Sequence, residues 1–428
     1  MSSDTFGNPI DPVAGFARGS IITSSTEEAL RLRNAQHIAA HRVRSLGAES
    51  IGVFTGNQRD YPIEATDIAT LCEEWVGPGL FADDLRTVVL EHLGGATDHQ
   101  VAIFNRTSAG IIAAIVALAP AGTVLSVVPQ GGRSHASVVH GSRLAAATLI
   151  EAAIDTDWTS HIARTTPQLV VITTVTSSLE RMDDDDIADV VDAARTAGSI
   201  TLLDEAYGAR LRTALHGGAL SLHLGAHLSI TNCDKAGLAG PRAGALAGSA
   251  HLVAKVAATG ASFGMEARAP IAAGALRSFQ RYTPELLRDE ARSGHQLSAA
   301  LTGAYPAGVV RESDLGPMIH EDDVLRELLR MSGSDDAPGC TRAPVVVPCE
   351  ATSALGALLL RDHGILTTNT HGQPGARVSL RLKPTVDAID RIGGIGAVVA
   401  AVAAATKELA TLIDDRDAIA ALILGDAA

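Results

Sequence analysis

Thr231-Asn-Cys-Asp-Lys-Ala-Gly-Leu-Ala-Gly-Pro-Arg-Ala-Gly244 carries one lysine, Lys235, between a short run that reads as a strand (His227 to Asn232) and a loop rich in Gly and Ala. Gly237, Gly240, Pro241 and Gly244 leave little side-chain bulk around the amine, so a bulky partner can approach it closely. A lysine in an apolar pocket loses part of its preference for the charged form and becomes a nucleophile for carbonyl compounds. A solvated loop lysine is the bland alternative. Against it stands Asp204, upstream at the end of the apolar strand Ser199-Ile-Thr-Leu-Leu-Asp-Glu-Ala-Tyr207. Two strand ends, one bearing an aspartate and the next a lysine, favour a chemical site.

Around this pair the chain alternates between strand and helix patterns, which predicts an α/β fold with a mostly parallel central sheet flanked by helices. Val101 to Phe104 reads as a short buried strand, Thr123 to Val128 as another and Leu169 to Thr174 as a third. After the first come Asn105-Arg-Thr-Ser-Ala-Gly110 and a helical run from Ile111 to Leu118. Small residues and hydroxyls opening a helix make an anion site of free backbone N–H groups and dipole; an ordinary N-cap is the alternative. Ser177 and Ser178, with Glu180 close by, follow the third strand's carboxyl end, where α/β sheets bind ligands. Asp183 to Asp186 read as negative charge at the start of a helix from Ile187 to Ala197 rather than as a metal cluster, and no metal is expected.

Residues 1 to about 25 read as a poorly ordered arm, and Thr26 to Arg44 as an amphipathic helix. For the polar cluster Asn57, Gln58 and Arg59, a binding loop and a structural turn both stay open. Gly208 to Gly225 reads as a surface segment, Ala243 to Ala247 as a strand, and Ala269 to Arg281 and Leu286 to Leu301 as helices. From about residue 300 the composition shifts. A strand over Ala343 to Pro348, a helix over Ala351 to Asp362, a strand over Ala376 to Lys383 and a helix over Ile392 to Leu412 suggest a smaller α+β domain. The expected division is an arm and helix (1–60), a large domain (61–280) and a small C-terminal domain (281–428).

At 428 residues the chain is long enough for a substantial core. A net charge of −14 argues against a generic nucleic-acid or anionic-membrane surface, and aromatics at 3% argue against stacking platforms for single strands. Cys72, Cys233, Cys340 and Cys349 show neither metal spacing nor disulfide density, which fits a reducing cytoplasm. The apolar run near Gly393 to Thr406 falls short of the ~20 residues a membrane span needs, and the polar start has no signal-peptide pattern. A cytoplasmic location is expected.

The strand ending in Asp-x-Ala-Tyr, followed by the strand ending in Lys235 with its tail Asp-Lys-x-x-x-x-Gly-Pro-Arg-x-Gly, resembles the core of pyridoxal-phosphate enzymes of the aspartate aminotransferase-like superfamily, fold type I. The tail is most similar to serine hydroxymethyltransferases and selenocysteine-synthase-like proteins. The resemblance implies pyridoxal 5′-phosphate as cofactor, Lys235 as its Schiff-base lysine and Asp204 as partner of the pyridinium nitrogen. Ser-His-Ala-Ser-Val-x-x-Gly-x-Arg-Leu144 resembles a segment of α-oxoamine synthases, threonine aldolases and fold-type-I decarboxylases, which implies that His135 stacks on the ring. In the same frame Thr107, Ser108 and Ala109 contact the cofactor phosphate, and Ser177 and Tyr207 line the cofactor. Gly-x-Glu-x-Arg268 resembles a stretch of β-eliminating lyases that reaches a neighbouring active site, so Arg268 is either a phosphate partner from a second subunit or an ordinary ion-pair residue. Arg381, then Arg377, is the expected holder of a substrate α-carboxylate, with Gln58 and Arg59 as further substrate contacts.

The resemblance implies an enzyme acting on a small amino acid by loss of the Cα proton, with β- or γ-elimination or replacement first. Aldolase, hydroxymethyltransferase or α-oxoamine-synthase-type carbon–carbon chemistry comes second, and a non-catalytic protein of the same fold third. It further implies a homodimer or dimer-built tetramer with shared active sites, no nucleic-acid partner and no membrane.

Overall fold

The apolar runs that end in polar residues become strands of one sheet. The computed structural model describes residues 3–57, 61–70, 76–333, 344–371 and 378–425. Two compact units result: 57–288, and 1–56 together with 289–428.

In the first unit, β1 (Gln100–Phe104), β2 (Thr123–Val128), β3 (Thr148–Ala153), β4 (Leu169–Thr173), β5 (Ile200–Asp204), β6 (Leu228–Asn232) and β7 (Gly244–Gly248) pair in the order β1-β7-β6-β5-β4-β2-β3. β7 runs antiparallel to both neighbours and every other pair is parallel. Parallel strands need covered faces, and every residue of β4, β6 and β7 is buried. The covering helices are α1 (Gly77–Leu93), α2 (Thr107–Leu118), α3 (Ala136–Leu144), α4 (Trp158–Thr165), α5 (Asp184–Thr196), α6 (Gly208–His216), α7 (Ala250–Ser262) and α8 (Ala269–Arg281). Strand side chains alternate between the two faces. Leu202 and Leu246 thus join Ile111, Ile115 and Val256 on one side, while Leu203 packs with Ile187, Val190 and Val191, and Ala245 with Val89 and Leu276.

The second unit holds an antiparallel three-stranded sheet, Leu380–Arg381 beside Gly316–Ile319 beside Val310–Ser313. Its helices include Ser25–Leu46, Glu321–Ser332, Pro348–His363 and Ile395–Leu412. The last is long and apolar enough, by length and composition, to cross a membrane. That is longer than the apolar run read from sequence. One face of it, Val398, Val402, Ala405 and Leu409, packs into this unit's core.

Four expectations are corrected. The described residues of the N-terminal arm are ordered: Phe16, Ile21 and Ile22 are buried, and the buried Glu350 carboxylate accepts from the Ile21 and Ile22 amides at 2.6 and 2.8 Å. Gly208 to Gly225 is no surface segment, because its first half is α6, with Arg210, Leu211 and Arg212 fully buried. Val345 to Val347 do not form a strand; they lead into the helix that starts at Pro348. Val101 to Phe104 is a strand, but only Phe104 of it is buried, since β1 lies at an edge of the sheet.

Candidate functional site

The sheet register brings the strand ends to one edge. Thr173 pairs with Asp204, Asp204 with Ile230, and Gly244 with both Asn232 and Phe104. Segments leaving that edge therefore start side by side: Thr174 after β4, Glu205 after β5, Cys233 after β6, and Asn105 after β1. This is the carboxyl end of the parallel strands, where open α/β sheets place their ligands.

Asp204 ends β5 and is buried. Burial raises its pKa to about 6, against the opposing effects of the Ala206 amide, which donates to Oδ1 at 3.2 Å, and of the Lys235 charge. A buried carboxylate in that state calls for a cationic partner. Its neighbour Glu205 points into a separate network: it takes an ion pair from Arg212 and a hydrogen bond from Thr174 Oγ1 at 2.6 Å. Arg212 also pairs with Asp184, so the first aspartate of α5 is engaged in a structural ion pair.

Lys235 follows β6 and is half-buried, with Nζ 4.9 Å from the centroid of the buried Tyr207 ring, within the range of a cation–π contact. The turn after it is left-handed at Ala236 (φ 50°) and Gly237 (φ 81°). The glycines of this loop serve its closure rather than clearance of the amine. A side chain at Gly240 would meet the Cys233 carbonyl and Ser278 Cβ, both at 2.6 Å. Cys233, before the lysine, is buried, and burial raises its thiol pKa, which suits a filler rather than a reactive group.

Gly244 does a different job. A Cβ there would stand 2.7 Å from the Thr107 nitrogen and 2.6 Å from its Cα, so the missing side chain lets the start of α2 lie against β7. Thr107 Oγ1 donates to the Ala243 carbonyl at 3.4 Å. Thr107 and Ser108 are half-buried in the first turn of α2; the amides of Ala109 and Gly110 bond back to the Arg106 carbonyl. Among the three expected phosphate contacts, Thr107 and Ser108 thus keep the favourable positions. Arg242, the arginine of the Gly-Pro-Arg-x-Gly tail, to which the sequence reading gives no role, directly precedes this junction, with its guanidinium 3.9 Å from the buried Asp234 carboxylate.

His135 is the N-cap of α3: its ring is exposed, and Nδ1 lies 2.8 Å from Ser137 Oγ and accepts from the Ser137 amide at 3.2 Å. Those contacts fix the ring orientation. Ser177 is half-buried beyond β4, in a turn where Thr176 Oγ1 bonds Glu180. Arg268 is exposed at the N-cap of α8. Arg381 belongs to the second unit, buried in the strand that pairs with Met318. Gln58, Arg59 and Arg377 lie outside the described residues.

Burial, donor set and anion-ready helix start fit a phosphorylated pyridine: a carboxylate for a ring nitrogen, an amine for an aldehyde, and a helix N-terminus beside an arginine for a phosphate. The fold agrees. Ureidoglycine–glyoxylate aminotransferase from Bacillus subtilis aligns over 87% of this chain and 96% of its own (TM-score 0.55, 14% identity). Aspartate aminotransferase from Thermotoga maritima aligns over 88% and 96% (TM-score 0.55, 13% identity). The chain thus has the aspartate aminotransferase-like fold of type I pyridoxal-phosphate enzymes. No protein-family model matches it. It is 33% identical over 362 residues to a UPF0425 pyridoxal phosphate-dependent protein of Methanothermobacter thermautotrophicus, covering 84% of this chain and 89% of that one. A relative from Methanosphaera stadtmanae, similarly described, is 27% identical over 354 residues, 83% of this chain and 88% of its own. The chain belongs to the UPF0425 family of pyridoxal phosphate-dependent proteins.

Proposed function

We propose that this chain is a pyridoxal-phosphate-dependent enzyme acting on a small amino acid, and that it removes the Cα proton to allow β- or γ-elimination or replacement. The observation that carries the reading is the buried Asp204 carboxylate at the sheet edge with Lys235 at the next strand end. When bound, the cofactor supplies an aldehyde that captures amines and a ring that withdraws electrons from the substrate carbon. Asp204 holds the ring-nitrogen proton in place, and burial strengthens that bond because water does not compete for it. The Lys235 amine would hold the cofactor through its aldehyde, and the same amine, when free, would move the substrate Cα proton. Thr107, Ser108 and the opening of α2 bind the phosphate, with Arg242 as the cation from the same chain. His135 covers one ring face. Arg381 holds the substrate carboxylate.

Carbon–carbon bond chemistry is the second reading, favoured by the exposed and oriented His135 ring, the feature shared with the aldolase and oxoamine-synthase segment. The test is the visible spectrum of purified protein with cofactor, before and after a panel of amino acids, with Lys235→Ala alongside. A visible band in wild type, altered in the variant, is expected, and the amino acid that perturbs it names the substrate class. Product analysis then separates elimination from carbon–carbon cleavage. A protein that takes up no cofactor leaves only the fold, and the non-catalytic reading stands.

A further inference from the structure

Arg210, in the helix that reads as surface in sequence, is fully buried. Its guanidinium donates from Nε to the Ala236 carbonyl at 3.1 Å. From Nη1 it reaches Thr231 Oγ1 at 2.9 Å and His92 Nε2 at 3.2 Å. From Nη2 it reaches Asn232 Oδ1 at 2.8 Å and the Ala206 carbonyl at 3.2 Å. An arginine has five N–H donors in a rigid planar fork, and here each meets an acceptor. Every one of those acceptors is neutral. His92 is held neutral, since burial, with the Arg210 charge second, pushes its pKa down to about 3.

A buried cation without a bonded carboxylate is an expensive way to fill space, because apolar packing of similar volume would stabilise the fold at least as well. What the fork supplies is a link between two turns. Ala206 stands two residues after Asp204, whereas Thr231, Asn232 and Ala236 bracket Lys235. Asn232 doubles the link by donating Nδ2 to the same Ala206 carbonyl. Ala236 sits in the left-handed region, which alanine enters only under constraint, and its carbonyl is the one that Arg210 Nε holds.

We propose that Arg210 is a positioning residue that locks the Lys235 turn to the Asp204 turn, and so fixes how the amine and the carboxylate address one bound cofactor. The inference rests on the reading that Lys235 and Asp204 hold pyridoxal phosphate. Lysine at 210 keeps the charge but offers three donors on a flexible stem, too few to hold both turns.

The experiment uses the holoprotein and follows the pH at which its visible band titrates, together with cofactor affinity by equilibrium dialysis. Arg210→Lys is expected to move the midpoint by about half a pH unit or more and to weaken cofactor binding on the order of tenfold, the scale set by losing one or two bonds. Asn232→Ala, which leaves the guanidinium intact, is expected to shift the midpoint in the same direction by less, and it keeps the test open if Arg210→Lys does not fold. Leu409→Ala, a core truncation in the other unit, is expected to lower Tm and leave the midpoint alone. Midpoints that stay at the wild-type value in both site variants overturn the inference, as does an equal shift in Leu409→Ala. If wild type itself shows no band that Lys235→Ala alters, the cofactor assignment is what fails, and the inference falls with it.

Discussion

Asp204 is where burial and charge are most directly opposed. Its carboxyl has a pKa near 3.8 when exposed and about 6 in the folded, cofactor-free chain. Between those values the folded state binds more protons than the unfolded one, so stability falls as pH rises through the window and then levels off. The full cost is about 3 kcal/mol, since each pH unit between the two values contributes ~1.36 kcal/mol. Asp204→Asn removes the titration. In unfolding experiments on cofactor-free protein, the variant is expected to gain up to about 3 kcal/mol on wild type between pH ~4 and pH ~7.5. A gap between the two proteins that does not change with pH would mean that the carboxyl is not buried as described. With cofactor present the order reverses: the ring nitrogen proton gives the carboxylate its partner, and Asp204→Asn is expected to bind cofactor more weakly. A destabilised residue that becomes stabilising on ligation is the usual mark of a functional group rather than a structural one.

At the scale of elements, two glycines set how closely helices approach the site. A methyl group at Gly244 would overlap the Thr107 backbone, so Gly244→Ala must push the first turn of α2 off β7. Overpacking of this kind costs about 1–3 kcal/mol. Cofactor affinity is expected to drop on the order of tenfold, measured by equilibrium dialysis, because the displaced turn is the proposed phosphate site; unchanged affinity would place the phosphate elsewhere. Gly208, at the first position of α6, faces Glu205 and Thr174 so closely that a Cβ would collide with both side chains. Gly208→Ala is expected to lose at least about 2 kcal/mol in chemical denaturation by breaking the buried Arg212–Glu205–Thr174 network.

These elements differ in how well the sequence announces them. β4 reads clearly because it is a continuous apolar run, Leu169 to Ile172, closed by Thr173 at the ligand edge; β2 is apolar apart from Thr123 and Ser126, and β6 alternates Leu228 and Ile230 with Ser229 and Thr231 before ending in Asn232. β3 is silent in the sequence because it is an edge strand whose burial is mixed, leaving no clean period. The helix α6 misleads for a physical reason. Arg210 and Arg212 are the residues a sequence reading assigns to water, and only folding reveals the acceptors and carboxylates that let them be buried. Arg242 stands in the quoted Gly-Pro-Arg-x-Gly tail, yet its role is silent in the sequence: its place is fixed by Gly244 and Thr107, which meet only through the antiparallel β7.

For the whole molecule, the division into two units decides which questions one chain can answer. Residues 57–288 hold Asp204, Lys235, His135 and the opening of α2, whereas Arg381 belongs to the other unit. Arg268 is exposed on the first unit, at the head of α8, and it is there that the choice between an ordinary surface residue and a contribution to a neighbouring site becomes testable. Enzymes of this fold commonly complete their sites across a two-fold axis, and a two-fold interface is self-complementary, so one chain can lend the same residue that it borrows. If Arg268 serves a partner's site, Lys235→Ala and Arg268→Ala proteins are each nearly inactive alone. Mixed after gentle dissociation, they form hybrids in which one site in the dimer has both an intact Lys235 and an intact Arg268. Activity is then expected to recover to about a quarter of wild type, the random-assortment limit of half the dimers carrying one good site of two. Light scattering should show at least a dimer in the same samples. Arg268→Ala with full activity by itself would return that residue to the surface and leave Arg242 to hold the phosphate unaided.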